Sequence, residues 1–214
     1  MNEAQRLENG LDLAKIDLPE LTKVKLLKYV MLIQKWNRVH NLTAIRDPEE
    51  MVILHLLDSL VVLPYLNLSS KSLLDVGSGA GLPGIVIALC MPNLKVTTID
   101  SVNKKASFMR QVKAELAIEN LNVISGRVED YEPENKFDIV ISRAFSEITQ
   151  FMDLTFHLIE NKGMWIAMKG TYPESEIENL KKRFQITPEV KEIKVPFLDA
   201  KRHLIFVKNN SLEV

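Results

Sequence analysis

Leu73 to Gly84 reads LLDVGSGAGLPG, an apolar run, an acid and a glycine-rich turn that feeds a second apolar run. A strand, a glycine loop and a helix in that order form a nucleotide-cofactor loop. Gly77, Gly79 and Gly81 alternate, and Leu82 stands where a strict GxGxxG dinucleotide fingerprint has its third glycine, which counts against NAD. Asp75 lies two residues before the first glycine. Its negative charge would oppose a pyrophosphate, whereas it suits the cationic amino-acid end of S-adenosylmethionine. The loop therefore favours a methyl donor, set against the plainer reading of a tight turn that needs glycine only for its backbone angles.

Outward from this loop the chain divides near Asn67 to Lys71, predicting a helical subdomain over 1–68 and a cofactor-binding domain over 69–214. In the first part Leu21, Val24, Leu27, Val30, Met31 and the Trp36 region recur at helical spacing, which predicts a helix with this stripe in its core, started by Pro19 and Glu20. A second helix opens at DPEE, with Asp47 as cap, Pro48 in the first position and Glu49 and Glu50 against the dipole, and Pro64 closes it. In the second part the apolar runs SLLDV, KVTTID, LNVI, FDIVIS and MWIAMK alternate with helix-length segments or short turns. A last pair follows, around Ile186 to Val195 and His203 to Val207. Such alternation predicts an α/β, Rossmann-like, mostly parallel sheet with helices on both faces. The last two runs, joined by PFLDAKR without room for a helix, must pair antiparallel. Seven strands with that antiparallel pair, here with an N-terminal helical extension, resemble the sheet of S-adenosylmethionine-dependent methyltransferases.

Composition narrows the compartment and the partners. The 214 residues include 27 Lys and Arg against 28 Asp and Glu, a net charge of −1, so no global field draws the chain to nucleic acid and RNA binding must rest on a local basic patch. The single cysteine, Cys90 in IALCM, excludes an internal disulfide and reads as a small buried hydrophobe. No window approaches a membrane span and the N-terminus lacks a signal-peptide apolar core. These features predict a soluble cytoplasmic protein, a monomer without a metal site.

In an open parallel sheet the ligand lies beyond the carboxyl ends of the strands. After the first run, Gly77 to Gly81 bring backbone N–H groups to a methionine carboxylate. Asp100 ends the second run, 23 residues beyond Gly77, where a carboxylate accepts both ribose hydroxyls. The third run leads to GRVED, whose Val128, Glu129 and Asp130 flank an adenine. The fourth ends in SRAF, with Ser142, Arg143 and Ala144 beside the reacting methyl, and the fifth ends at Lys169 and Gly170. Singly each acid is as well explained as a helix cap or a solvated charge; their joint phase with successive strand ends is the signal.

The series WNRVHNLTAIRDPEE, HLLDSL, LLDVGSGAGLPGI, IDSVNKKASFMRQV, RVED, VISRAF and MKG, continued by VPFLDAKRHLIFVKN, resembles the bacterial small-subunit ribosomal RNA guanine-N7 methyltransferases, the glucose-inhibited division protein B family. The resemblance implies methyl transfer from S-adenosylmethionine to one guanine N7 of 16S rRNA, as naked rRNA or in the 30S subunit. By motif match it implies cofactor contacts at Gly77, Leu82, Val128, Glu129 and Arg143, and Asp100 matches the ribose position of the wider superfamily.

Guanine N7 carries a lone pair and no proton, so the site needs no general base and works by in-line positioning in a water-poor cleft. A pyrimidine-C5 mechanism would need a cysteine nucleophile at a strand end, and Cys90 is not there. Arg143 is the expected positioning residue, able to order a carboxylate, stack on a base or hold a phosphate. Lys104, Lys105, Arg110, Arg127, Lys169, Arg202 and His203 are the expected phosphate contacts, and Arg46 with Asn41 is placed to close over the cofactor or grip RNA. His55 and Asp58 fit a buried hydrogen bond better than a metal pair. A small-molecule methyltransferase, a non-catalytic cofactor-binding module and a dehydrogenase with an unusual loop are the competing readings.

Overall fold

The computed structural model describes residues 2–143, 145 and 147–209. Its strands are β1 (Ser72–Val76), β2 (Lys95–Asp100), β3 (Leu121–Ser125), β4 (Phe137–Ser142), β5 (Ile159–Lys169), β6 (Glu189–Ile193) and β7 (Arg202–Lys208). They form one sheet in the order β3-β2-β1-β4-β5-β7-β6. β1 to β5 run parallel and β7 is antiparallel to both β5 and β6, as the alternation of runs and the short PFLDAKR link require. Strand order reverses between β1 and β4, and this switch point opens the crevice at the carboxyl ends.

Period-two alternation sends the strands' side chains into two cores. Leu73, Val96, Ile139, Ile141 and Ile166 join one apolar cluster with α5 (Gly84–Cys90) and α6 (Asn103–Glu115). Leu74, Val140, Trp165 and Ile205 join another with α7 (Ile148–Thr155) and α8 (Glu174–Phe184). The N-terminal helices, α1 (Glu3–Ala14), α2 (Glu20–His40), α3 (Pro48–Met51) and α4 (Asp58–Leu60), belong to the first cluster, which also takes in Met168, Leu204 and Phe206 of β5 and β7. Right-handed crossovers leave that half of the face without its own helix, so the N-terminal segment supplies the missing layer; Tyr65, for instance, stands 6.0 Å from the Phe206 ring. No helix among the described residues is long and apolar enough to cross a membrane.

Two features of this segment differ from the sequence reading. α1 was not expected, because only Leu7 and Leu11 of its apolar residues are buried amid charges; Asn2 caps it by accepting a hydrogen bond from the Gln5 N–H at 2.9 Å. In α2 the expected stripe is only partly the core face: Val30 is buried and Leu27 and Trp36 pack against the core, but Leu21 and Met31 are 68% and 64% exposed, and Leu26, Tyr29, Ile33 and Asn37 are buried in addition. α2 carries apolar residues around much of its circumference, and those facing α5, α6 and the other N-terminal helices are the ones buried. The DPEE start is as expected, with Asp47 accepting from the Glu50 N–H at 2.9 Å. A π-helical stretch, Val52–Leu57, separates α3 from α4; one wide turn there re-aims the side chains that follow.

α5 must end where β2 can begin, and Asn120 fixes that corner. Its side-chain amide lies 3.1, 3.1 and 2.9 Å from the carbonyl oxygens of Ala88, Met91 and Leu94. Asn120→Ala is expected to destabilise the protein by about 1–3 kcal/mol, the usual penalty for stranding buried acceptors. Asn120→Asp sets a carboxylate against the same oxygens and should lower the denaturation midpoint further, as chemical unfolding will show.

Candidate active site

The loop after β1 is held on three sides. Gly77, Gly79 and Gly81 have φ of 69°, 61° and 97°, a left-handed path that side chains resist. From the sheet, the N–H groups of Gly77 and Ser78 donate to the Ile99 carbonyl at 2.9 and 3.2 Å, and Ser142 Oγ donates to the Val76 carbonyl at 2.7 Å. From α2, the fully buried Tyr29 hydroxyl donates to the Ala80 carbonyl at 2.7 Å. Burial and the nearby Asp75 raise the Tyr29 pKa above its ordinary value, so the group stays a donor.

The glycine missing at position 82 reappears at Gly84. A Cβ there would stand 2.6 Å from Thr98 Cγ2 and 2.7 Å from Asp75 Oδ2, so the close helix-to-strand packing assigned to a third fingerprint glycine falls two residues later. The Gly84 N–H donates to Asp75 Oδ2 at 2.9 Å. Asp75 Oδ1 is buried and has no hydrogen-bond partner among the described residues. Burial pushes the Asp75 carboxyl up to about 7, against the lowering bonds from Gly84 and Ser78.

Gly77, Asp100, Val128 and Glu129 line one cleft of about 440 Å³ at the carboxyl ends of β1, β2 and β3. Asp100 anchors it: Oδ2 accepts from the Gly79 N–H at 2.9 Å and Oδ1 from the Val102 N–H at 2.9 Å. Phe145, Gln150 and Leu154 form the opposite wall; the SRAF phenylalanine was the only one of these that the sequence could have flagged. Leu82 is buried and Gly81 faces Ile85, so both shape the loop rather than line this cleft.

Arg143 lies one cavity further on. It lines a space of about 790 Å³, shared with Phe145, Lys169 and Tyr172, and a second of about 430 Å³ against the N-terminal helices. Its Nη1 donates to Asp58 Oδ2 at 3.0 Å and to the Leu54 carbonyl at 3.1 Å. Ala144 lies outside the described residues. His55 and Asp58 are both buried, but they are not bonded to each other: His55 Nε2 meets Thr43 Oγ1 at 3.1 Å, and Asp58 serves arginines. Burial and the Arg143 charge lower the His55 pKa to about 4, and burial pushes the Cys90 thiol up to about 12, which disarms it as a nucleophile.

The basic residues fall into two groups and two outliers. Lys105, 3.5 Å from Asp100 Oδ2, and Arg127, paired to Glu129 at 2.9 Å, border the 440 Å³ cleft, with Lys104 exposed beside them. Lys169, Arg202 and His203 gather at the 430 Å³ cavity. There Lys169 meets Glu176 at 2.7 Å, and His203, only 3% exposed, bonds through Nδ1 to the Gly170 carbonyl at 2.7 Å. Arg110 is exposed farther along α6, and Arg46 is exposed with its guanidinium on the Asn37 carbonyl and Asn41 Oδ1 at 3.3 and 3.0 Å.

Two outcomes follow from the loop. Tyr29→Phe should weaken S-adenosylhomocysteine binding severalfold and lower stability by about 1 kcal/mol, checked by calorimetry and by thermal melts. For Asp75, folding raises the pKa, so its protonated form adds stability that is fully present below the ordinary carboxylate range and lost as pH rises through about 7. Asp75→Asn lacks this component, and its stability relative to wild type should rise with pH across that window in ligand-free melts.

The family described as GidB, rRNA small subunit methyltransferase G, matches residues 22–205. A ribosomal RNA small subunit methyltransferase G of Methylobacillus flagellatus is 59% identical over 95% of this chain and 97% of its own length. Its namesake in Aromatoleum aromaticum is 51% identical over 97% and 99%. Among solved structures, a SAM-dependent methyltransferase from Aquifex aeolicus superposes with a TM-score of 0.58 at 17% identity, covering 76% of this chain and 93% of that one. An O-methyltransferase from Bacillus cereus in complex with SAH gives 0.59 at 14% identity, covering 85% and 91%; these two likenesses concern the fold. With the family match spanning most of the sequence and relatives this similar along nearly their whole length, the chain belongs to the GidB family of rRNA small subunit methyltransferases.

Proposed function

We propose that this chain transfers the methyl group of S-adenosylmethionine to N7 of a guanine in 16S rRNA, acting as a cytoplasmic monomer. The observation that carries the reading is the adjacency of two spaces: Phe145 lines both the 440 Å³ cleft of Gly77, Asp100, Val128 and Glu129 and the 790 Å³ cavity of Arg143 and Lys169. One space suits a nucleoside-bearing donor and the other a nucleic-acid base.

The donor's features fit what the residues offer. Gly79 leaves open space where a Cβ would sit, so a ligand can approach the loop backbone closely. Asp75 Oδ1, buried and unpartnered, suits an ammonium, whose charge would favour the carboxylate form over the proton it otherwise retains. Asp100 at the rim suits ribose hydroxyls, and Val128 with Leu154 sandwiches an adenine-sized ring.

When bound, S-adenosylmethionine supplies an electrophilic methyl on a sulfonium. The guanine N7 lone pair forms the new N–C bond while the S–C electron pair returns to sulfur, and no proton leaves the base. The chain's residues therefore need only to orient, exclude water and hold charge. Glu176, the carboxylate nearest Lys169, is already committed to that lysine and to the Ile148 N–H at 2.7 and 2.8 Å, consistent with a positioning site without an acting base. Lys104, Lys105 and Arg127 on one rim and Lys169 and Arg202 on the other are the RNA contacts of this reading.

Incubation with labelled methyl donor and undermethylated 30S particles, free 16S rRNA, or a small-molecule extract tests it. Label should enter rRNA and be released on digestion as N7-methylguanine. Label in a small molecule, label at another atom, or donor binding without turnover on any RNA would overturn it.

A further inference from the structure

The 430 Å³ cavity between the N-terminal helices and the ends of β4, β5 and β7 has a charge arrangement of its own. Asp58, 4% exposed at the end of the π-helical stretch, divides its carboxylate between two arginines from distant strands. Oδ2 accepts from Arg143 Nη1 at 3.0 Å and Oδ1 from Arg202 Nε at 2.8 Å. Arg202 Nη1 donates in addition to the Lys201 carbonyl at 3.0 Å. Nη2 of each guanidinium makes no hydrogen bond among the described residues, and both side chains line the cavity while remaining only about a quarter exposed, at 28% and 25%.

The local charge does not close. Lys169 is matched by Glu176 at 2.7 Å, and Asp58 offsets one of the two guanidiniums. Arg143 and Arg202 against Asp58 leave one positive charge beside a concave surface. A phosphodiester carries one negative charge and two oxygens that accept from guanidinium groups. The remaining walls, Ile45, Leu54, Met168 and Leu204, are apolar and would strengthen such a contact by keeping water away.

We propose that this cavity is a phosphate receptor, in which Arg143 and Arg202, held by Asp58, grip one backbone phosphodiester of the RNA strand next to the target base. The inference rests on the RNA-methyltransferase reading and adds the place where the strand is pinned. The cavity shares Arg143, Met168, Lys169 and Gly170 with the larger space, so a phosphate fixed here orients the attached nucleotide toward the donor. Asp58 is a positioning residue: it touches no ligand and sets the spacing of the two groups that do. His55, held neutral on the same wall, leaves the surplus at one.

Arg202→Met tests the receptor without stranding Asp58, which keeps Arg143. Binding of 16S rRNA and of 30S particles is measured across a salt series, with calorimetry for S-adenosylhomocysteine and inorganic phosphate as a competitor. RNA affinity should fall about tenfold, and the slope of log K against log salt should flatten by about 0.7–0.9, the value for one lost phosphate contact. S-adenosylhomocysteine affinity should stay within twofold. Arg202→Lys should keep the slope and lose part of the affinity, since charge remains while the fork is lost. Phosphate should compete with RNA in wild type and more weakly in Arg202→Met. An unchanged RNA slope in folded Arg202→Met overturns the proposal, including the case in which free phosphate still binds. A loss of cofactor affinity as large as the loss of RNA affinity also overturns it, by giving the cavity to the donor. Failure of the broader reading is seen separately, as absence of methyl incorporation despite a normal slope change.

Discussion

The contact on which the rest of the site depends is the one between the first residue of α5 and the two central strands. Gly84 sits so close to Asp75 and Thr98 that no side chain fits between them, and its N–H is bound by the Asp75 carboxylate. With the helix start fixed against β1 and β2, the chain turns back through left-handed conformations at Gly77, Gly79 and Gly81, and the N–H groups of Gly77, Ser78, Gly79 and Gly81 are spent on Ile99, Asp100 and Ser78, which fixes the shape of the loop. A buried carboxylate with one satisfied and one orphaned oxygen is an unfavourable arrangement for folding alone. A cationic ligand would complete it, and under the proposed function Asp75 would then serve binding at the expense of stability.

The N-terminal helices are part of the same construction. They cover the half-face of the sheet that the crossovers leave bare, they hold the glycine loop through Tyr29 and Ala80, and they deliver Asp58 to the arginines. One apolar cluster runs from Leu7 to Phe206, so the two sequence segments meet in a common interior. The glycine loop and the cavity of Arg143 and Arg202 are thereby braced by one layer, α2 on the first and the π-helical stretch on the second.

Much of this was legible in the sequence for definable reasons. SLLDV, KVTTID and FDIVIS became strands with the same bounds because glycine, charge or a turn flanks each run. Gly77, Asp100, Val128 and Glu129 met in one cleft because a parallel sheet aligns its carboxyl ends, whereas Asp75, Gly79 and Gly81 lie outside its lining. MWIAMK is shorter than its strand, since β5 begins at Ile159 and its Glu160 to Lys162 are exposed, a polar stretch with no strand signature. Tyr29, Asp58 and Gly84 were invisible as site residues. Their roles arise from contacts across 51, 85 and nine residues of sequence, and periodicity assigns such residues only to a helix face or a turn. The α2 stripe was right at Val30, Leu27 and Trp36 and wrong at Leu21, Val24 and Met31: spacing shows which residues share a face, not how far round the helix its partners reach.

The antiparallel placement of β7 has an evolutionary consequence. Because β7 runs against β5, its first residues, Arg202 and His203, lie level with Ile193 of β6 and with Lys169 of β5, so the β6–β7 connection opens onto the ligand edge of the sheet. The connections after β1, β2, β4 and β5 at that edge each lead into a helix packed on the sheet. This one joins two paired strands and is anchored in the core by Val195 and Leu198, while Asp199 to Lys201 are exposed, so change at those exposed positions leaves the strand register and the glycine loop in place. The hairpin tip is therefore where a lineage can retune its grip on a changing RNA surface while the methyl-donor cleft stays as it is.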